Sequence, residues 1–189
     1  MRRLKLWLAL AVLAAALAVG AGAAVSPQHT SPVVGTLGAT RVAVHEITCG
    51  GDDGQYRQAV ETYTGGLGGD PRLTGPAVFY LTSITNMTSG YGTAQGVLVV
   101  TDLNTHVVKV RAAFVGVATG SGGSNMRGLL TGTVADFGSQ PGGRLVANLE
   151  AVKNGISLYA AIGQAGTNLN PAVIQRSHCS PSPALQLGK

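Results

Sequence analysis

The sequence predicts an all-β protein: an antiparallel barrel of about eight strands that follows an N-terminal signal helix. Candidate strands recur at regular intervals between residues 73 and 163, and short Gly, Asn, Asp and Ser segments separate them. The composition agrees, because 28 glycines and only 11% charged residues suit strands and tight turns. The same alternation also fits a β-sandwich, which therefore remains the alternative.

The N-terminus has the pattern of a secretory signal peptide. A basic start (Met1 to Lys5) precedes an uncharged apolar run over 6–19 and a small-residue end over 20–24. We expect cleavage after Ala23 and a secreted, extracytoplasmic protein of bacterial type. An uncleaved membrane anchor is the alternative, since the apolar run approaches the length that crosses a bilayer. The predicted organisation is signal peptide 1–23, flexible linker 24–40, β-barrel 41–180 and C-terminal tail 181–189.

The charge of the mature chain argues against a nucleic-acid partner. Three of the 13 Lys and Arg residues leave with the signal, so 10 basic residues remain against 8 acidic ones. The remaining basic residues are scattered, whereas a nucleic-acid surface needs a dense basic patch. We therefore predict no nucleic-acid partner and, after signal cleavage, no membrane association.

Two cysteines, Cys49 and Cys179, are expected to form a disulfide, because an exported chain meets an oxidising compartment. Two free buried thiols are the alternative. The four histidines have no zinc-ligand spacing, so no metal site is predicted. No cofactor is expected either.

Along the barrel, the first strand is predicted at 41–49, and 55–64 is ambiguous between strand and short helix. A glycine-rich turn is predicted at 65–71. Further strands are predicted at 73–84, 93–101, 106–119, 126–136, 144–153 and 156–163. The pair Asn154-Gly155 predicts a type I′ hairpin with Lys153 opposite Ile156. This register gives an apolar face (Ala147, Leu149, Ala151, Leu158, Ala160, Ile162) that ends at Lys153.

No catalytic motif emerges. The Gly-x-Ser-x-Gly turn of hydrolases and the Gly-x4-Gly-Lys-Ser/Thr phosphate loop are both absent. We therefore name no catalytic residue, and enzymatic activity stays open with a binding role favoured. His45 and Glu46 are neighbours on a strand and point to opposite faces, so only one of them can face a cavity.

Three segments resemble the dirigent and allene oxide cyclase barrels: 42–47 (VAVHEI), 92–98 (GTAQGVL) and 142–147 (GGRLVA). The resemblance implies an eight-stranded barrel with a cavity, often trimeric, that acts on phenoxy radicals or oxylipins. Glu46 corresponds to the family's acidic residue after the histidine, whereas Thr93 stands where the family has an arginine. The segment 70–75 (DPRLTG) also resembles one in uncharacterised secreted bacterial proteins.

Three functions are consistent with these patterns. The first is an exported barrel that binds a small apolar ligand in its lumen, since small residues (Ala112, Ala147, Ala160, Gly116, Gly132) could leave space there. The second is an isomerase or cyclase, as the resemblance implies. The third is a non-catalytic surface interaction module, with a homo-oligomer as its simplest form. Ionisable candidates for ligand binding are Glu46, Tyr80, Arg111 and Glu150.

Overall fold

A computed structural model of the protein is a closed barrel of eight antiparallel strands. The structure describes residues 33–136, 138–139, 142–163 and 179. The predicted all-β fold is confirmed. Because the sheet closes on itself, the fold is the predicted barrel and not the alternative β-sandwich. The predicted signal peptide (1–23) and C-terminal tail (181–189) lie outside the described residues.

Each strand pairs with the next along the chain, and β8 pairs with β1 to close the sheet. A single 3-10 turn, Ser121–Gly123, lies between β5 and β6. The strands are β1 Gly35–Gly51, β2 Gly54–Gly69, β3 Gly75–Asn86, β4 Tyr91–Thr101, β5 Val108–Thr119, β6 Asn125–Val134, β7 Gly143–Asn154 and β8 Ser157–Ile162.

The first two strands are longer than the sequence indicated. β1 begins at Gly35, inside the predicted linker 24–40, and the ambiguous segment 55–64 is strand. The predicted turn at 65–71 is wrong for Gly65–Gly69, which continue β2 and pair with β1. A Cβ on Gly65 would lie 2.6 Å from the Cα of Ala39, so glycine permits the close pairing here instead of breaking the strand.

The β7–β8 hairpin exists, but its predicted register is wrong. Asn154 pairs with Ser157, so the two loop residues are Gly155 and Ile156, and Lys153 faces Leu158. Gly155 has a φ of 59°, and among the described residues His106 is the one non-glycine with positive φ. Positive φ at the first loop residue alone is the requirement of a type II′ turn, not of type I′. The shift is even, so the predicted apolar face still points inward.

Side chains fill the middle of the barrel. Alternate residues of every strand point inward, and Phe79 and Phe114 meet edge to face with their ring centroids 6.0 Å apart. A Cβ on Gly128 would lie 2.6 Å from the Phe114 ring, and one on Gly96 would lie 2.9 Å from the Phe79 ring. These inward glycines therefore accommodate aromatic rings. Fully buried residues in this layer include Tyr63, Leu81, Leu98, Leu130, Leu149 and Leu158.

A disulfide joins Cys49 to Cys179, with a Cα–Cα distance of 5.5 Å. Cys49 lies two residues before the end of β1, close to the tip of the β1–β2 hairpin. The bridge spans 130 residues of sequence and so links this hairpin to the C-terminal part of the chain.

Candidate functional site

A cavity of about 500 Å³ opens at one end of the barrel. We call this end the hairpin mouth, because the turns at 52–53, 87–90, 120–124 and 155–156 surround it. Here β1 extends past its neighbour: β8 pairs with Gly35–Thr40 only, and the rest of β1 pairs with β2. The inward residues of the β1–β2 hairpin are thus open to solvent on the side where β8 has ended.

An ionic cluster forms one wall of this cavity. The Glu61 side chain is 1% exposed, and its Oε1 accepts hydrogen bonds from Arg41 Nη1 and from the Tyr63 hydroxyl, both at 3.0 Å. Its Oε2 accepts a hydrogen bond from Lys153 Nζ at 2.9 Å. The buried carboxylate therefore has three donors, two of them cationic, which is what an anion needs to stay charged out of water.

Strand alternation brings these residues together. Glu61 and Tyr63 are two residues apart on β2 and both point inward, and Arg41 pairs with Tyr63 across to β1. Lys153 is the last inward residue of β7 and pairs with Leu158 of β8, which in turn pairs with Ala39 of β1. Closure of the barrel is thus what brings Lys153 to Glu61.

The cluster shifts the pKa values of its members. Burial alone would raise the pKa of Glu61, but the charge of Lys153 and the hydrogen bonds from Lys153, Arg41 and Tyr63 outweigh it and lower that pKa. Burial, together with the nearby Glu61 carboxylate, raises the pKa of Tyr63. The tyrosine hydroxyl is accordingly a donor to Glu61 and not a phenolate.

Arg57 lies nearer the rim and binds two different groups. Its Nη1 donates to the carbonyl oxygen of Gly122 at 2.8 Å. Its Nε donates to Glu46 Oε2 at 3.0 Å, and its Nη2 donates to Glu46 Oε1. The result is a bidentate arginine–carboxylate pair at the edge of the cavity. The carbonyl oxygen of Gly122, in the 3-10 turn, also holds the guanidinium in place.

The 3-10 turn covers part of the lumen beneath it. Gly123 is buried, and a Cβ there would lie 2.8 Å from Thr85 Oγ1. Thr85 pairs with Arg57 across β2 and β3, so both side chains line the same wall. The Thr85 hydroxyl is buried without a hydrogen-bond partner in the structure.

The charged residues that line the cavity are mostly cationic: Arg41, Arg57 and Lys153 stand against the single carboxylate of Glu61. If the nearby Glu46 is included, one positive charge remains in excess. Among the described residues there is no group of three His, Cys, Asp or Glu side chains that could hold a metal ion. The arrangement thus favours an anionic molecule.

None of the four candidate residues predicted from sequence lines this cavity, although Glu46 lies next to it through its pair with the lining residue Arg57. Tyr80 is on the outer face of β3 with 44% of its surface exposed, and Arg111 is exposed between the inward residues of β5. Glu150 lies on the outer face of β7 and pairs with Arg127 at 3.4 Å. These three residues do not share a site with Glu46.

Sequence reasoning missed Arg41, Arg57, Glu61, Thr85 and Lys153 as members of one site. A signal existed for Lys153, which ends an otherwise apolar strand face. Glu61 lies in the segment whose secondary structure was ambiguous, so its inward direction could not be assigned. Its partner Lys153 is 92 residues away in sequence, and only the closed sheet relates the two.

A second recess of about 620 Å³ opens at the opposite end of the barrel, between the β2–β3 and β4–β5 connections. Leu67, Pro71, Pro76 and Leu103 contribute to its lining. The buried Lys109 at its edge donates to the carbonyl oxygens of Pro71 and Thr74, both at 2.9 Å. This recess lacks the convergent charges of the hairpin mouth.

The fold and the cavity define the protein as a closed eight-stranded antiparallel barrel with an ionic cluster at one mouth. Comparison with protein-family models, with curated proteins and with solved structures finds no match to this chain. In the part of the chain that the structure describes, no helix is long and apolar enough to span a membrane.

Proposed function

We propose that this protein is an exported binding module that takes a small organic acid into the cavity at the hairpin mouth. The observation that carries the proposal is the convergence of Arg41, Arg57 and Lys153 on a recess that has one carboxylate in its lining. A volume of about 500 Å³ lies within the range of sites that hold small molecules. Guanidinium and ammonium groups are the usual partners of carboxylate and phosphate.

The proposal differs from the sequence-based prediction of an apolar ligand deep in the lumen. The buried rings of Tyr63, Phe79 and Phe114 occupy the middle of the barrel, and the cavity with converging charges is at the hairpin mouth. An apolar portion of the ligand has Met87, on the cavity wall, as a partner. We therefore propose an acid with a modest apolar body as the ligand.

Export rests on the N-terminal pattern together with the cysteine pair. Disulfides persist in oxidising compartments, and the bridge between Cys49 and Cys179 is compatible with that setting. The isomerase or cyclase alternative and its link to dirigent-like proteins stay predictions, as does the non-catalytic interaction module. The residues that the sequence suggested for the enzyme do not converge, because Tyr80, Arg111 and Glu150 lie on the outer face of the barrel, away from Glu46.

The proposal is tested by isothermal titration with matched pairs of ligands. 4-Phenylbutanoate and 4-phenylbutanamide have nearly the same shape and differ mainly in charge. Phenyl phosphate is compared with phenol, which lacks the whole phosphate group. We expect at least one anion to bind and its neutral counterpart to bind more weakly by roughly tenfold or more, because hydrogen bonds to charged groups contribute about 1.5–3 kcal/mol. Equal binding of neutral and charged members, or no binding by any of them, would refute the proposal.

A matched pair of variants locates the site. Arg57→Gln removes a cation from the cavity, and Arg127→Gln removes one from the outer wall, where Arg127 pairs with Glu150. Loss of binding in the first variant and retention in the second is the expected result. Loss in both variants would indicate a general effect of net charge instead of a site at the mouth.

A further inference from the structure

We infer that the ligand's acidic group is a carboxylate that binds Arg57 in the place now taken by Glu46, so that Glu46 sets the affinity of the site. This inference rests on the proposed function and names the ligand class and the residue that competes with it. The geometry that carries it is the bidentate pair between Arg57 and Glu46 at the rim of the cavity.

Arg57 is pre-oriented for such an exchange. The carbonyl oxygen of Gly122 holds Nη1 at 2.8 Å, which leaves Nε and Nη2 as a parallel pair of donors. That edge of a guanidinium matches the two oxygens of a carboxylate, and Glu46 occupies it in this way. A planar carboxylate from a ligand would meet the same two donors without any change at Gly122.

Glu46 is the replaceable member of the pair. Its side chain is 40% exposed, and among the described residues its carboxylate hydrogen-bonds Arg57 alone. Ion pairs at this level of exposure add little to stability, and a ligand carboxylate that makes the same two hydrogen bonds to Arg57 replaces what is lost. Glu61 contrasts with it, because it is buried and held by Arg41, Lys153 and Tyr63. Exchange at Glu61 would leave an unpaired buried charge.

Thr85 lies on the other side of Arg57 from Glu46. Thr85 pairs with Arg57 from β3, whereas Glu46 is on β1, and the Thr85 hydroxyl is buried with no hydrogen-bond partner among the described residues. A carboxylate in the place of Glu46 therefore gains no contact with this hydroxyl. The site thus selects for the carboxylate itself, and a hydroxyl beside the acid group should not change the affinity.

The test measures affinity for 2-hydroxy-4-phenylbutanoate and 4-phenylbutanoate in the wild type, Glu46→Gln and Glu46→Asp. Removal of the competing carboxylate should tighten binding by roughly two- to fivefold in Glu46→Gln. Glu46→Asp keeps the charge but shortens the side chain away from Arg57, so it should also tighten binding. A purely electrostatic effect of residue 46 predicts no gain in this second variant. Glu150→Gln, which removes a carboxylate from the outer wall, is the matched control and should leave affinity unchanged.

The outcomes separate this inference from the proposed function. If the wild type binds the acids and Arg57→Gln does not, but neither Glu46 variant binds more tightly, the exchange is refuted and the binding module stands. If phenyl phosphate binds and no carboxylate does, the ligand class is refuted while anion binding stands. If none of the anions binds to the wild type or to either Glu46 variant, both proposals fail.

Discussion

At the scale of single residues, Glu61 is the most constrained charge in the barrel. Its carboxylate is buried, and its donors come from three strands: Arg41 on β1, Tyr63 on β2 and Lys153 on β7. A buried carboxylate with these partners adds less to stability than its contacts suggest, because desolvation offsets the attraction. Removal of the carboxylate alone has a different consequence, since the two cations Arg41 and Lys153 then lie close together on the cavity wall without a counter-charge.

We predict that Glu61→Gln destabilises the barrel by about 3–5 kcal/mol, because it breaks a buried ion pair and leaves both cations uncompensated. Urea denaturation followed by circular dichroism measures the loss. Glu150→Gln should cost less than about 1 kcal/mol, since its pair with Arg127 at 3.4 Å is on the surface. The double variant Glu61→Gln with Lys153→Gln should recover part of the loss, and a further loss would contradict the account.

The lowered pKa of Glu61 also predicts how stability depends on pH. The pKa of Glu61 in the folded state lies below its ordinary value of about 4.3. At a pH between these two pKa values, the folded state therefore binds fewer protons than the unfolded state. Glu61 therefore contributes stability that is complete above the ordinary pKa and is lost as pH falls through the folded pKa. We expect the unfolding free energy of the wild type to fall more steeply than that of Glu61→Gln below about pH 4.5. Parallel profiles would rule out this contribution.

At the scale of elements, glycines within strands determine how the lumen is filled. Gly116 and Gly128 pair between β5 and β6, and Gly128 lies against the Phe114 ring. The strand propensity of glycine is low, so these positions weaken the sheet locally. They permit the layer of aromatic rings that fills the middle of the barrel.

The replacement Gly128→Ala should destabilise the protein by about 1–3 kcal/mol or more, because its Cβ would lie 2.2 Å from the carbonyl oxygen of Val115 and 2.6 Å from a ring carbon of Phe114. Gly38→Ala on β1 is the control, since a Cβ there meets nothing within 4 Å. Differential scanning calorimetry of both variants gives the comparison. Equal melting temperatures for the two variants would mean that the core accommodates the methyl group.

The hairpins illustrate which elements the sequence could predict. The alternation of apolar and polar residues predicted β3 to β8. It also predicted which faces of β7 and β8 point inward, because an error of two residues in register leaves each side chain on the same face of the sheet. It could not choose between the two loops that Asn154-Gly155 allows, since a glycine serves as the second residue of type I′ and as the first of type II′. Gly65–Gly69 were misread for a related reason: only pairing with β1 distinguishes a glycine-rich strand from a turn.

At the scale of the whole molecule, closure of the sheet creates the site. The repeated strand pattern in the sequence predicts the barrel. The pattern does not predict which charged residues on distant strands lie close together in the lumen. Glu61 and Lys153 meet because β8 joins β7 to β1, and β1 joins β2. Glu46 was predicted from the sequence as a candidate ligand-binding residue because of its position in the first strand. Its partner Arg57 could not be predicted, because their contact depends on the register between β1 and β2.

The disulfide gives a prediction for the entire chain. The bridge between Cys49 and Cys179 closes a loop of 130 residues that includes almost the whole barrel, so it restricts the unfolded chain strongly. By chain entropy it contributes at most about 4–5 kcal/mol. Since the melting temperature of a domain of this size shifts by about 2–4 °C per kcal/mol, we expect reduction to lower it by at most roughly 8–20 °C.

Melting temperatures with and without dithiothreitol measure the effect, and thiol titration before and after reduction establishes the state of the bridge. The double variant Cys49→Ser with Cys179→Ser should melt like the reduced wild type and should not respond to dithiothreitol. Because the bridge acts on the unfolded chain, ligand affinity at the hairpin mouth should change little on reduction. An oxidised wild type that melts at the same temperature as the double variant would show that the bridge does not stabilise the barrel, since loop closure then brings no measurable gain.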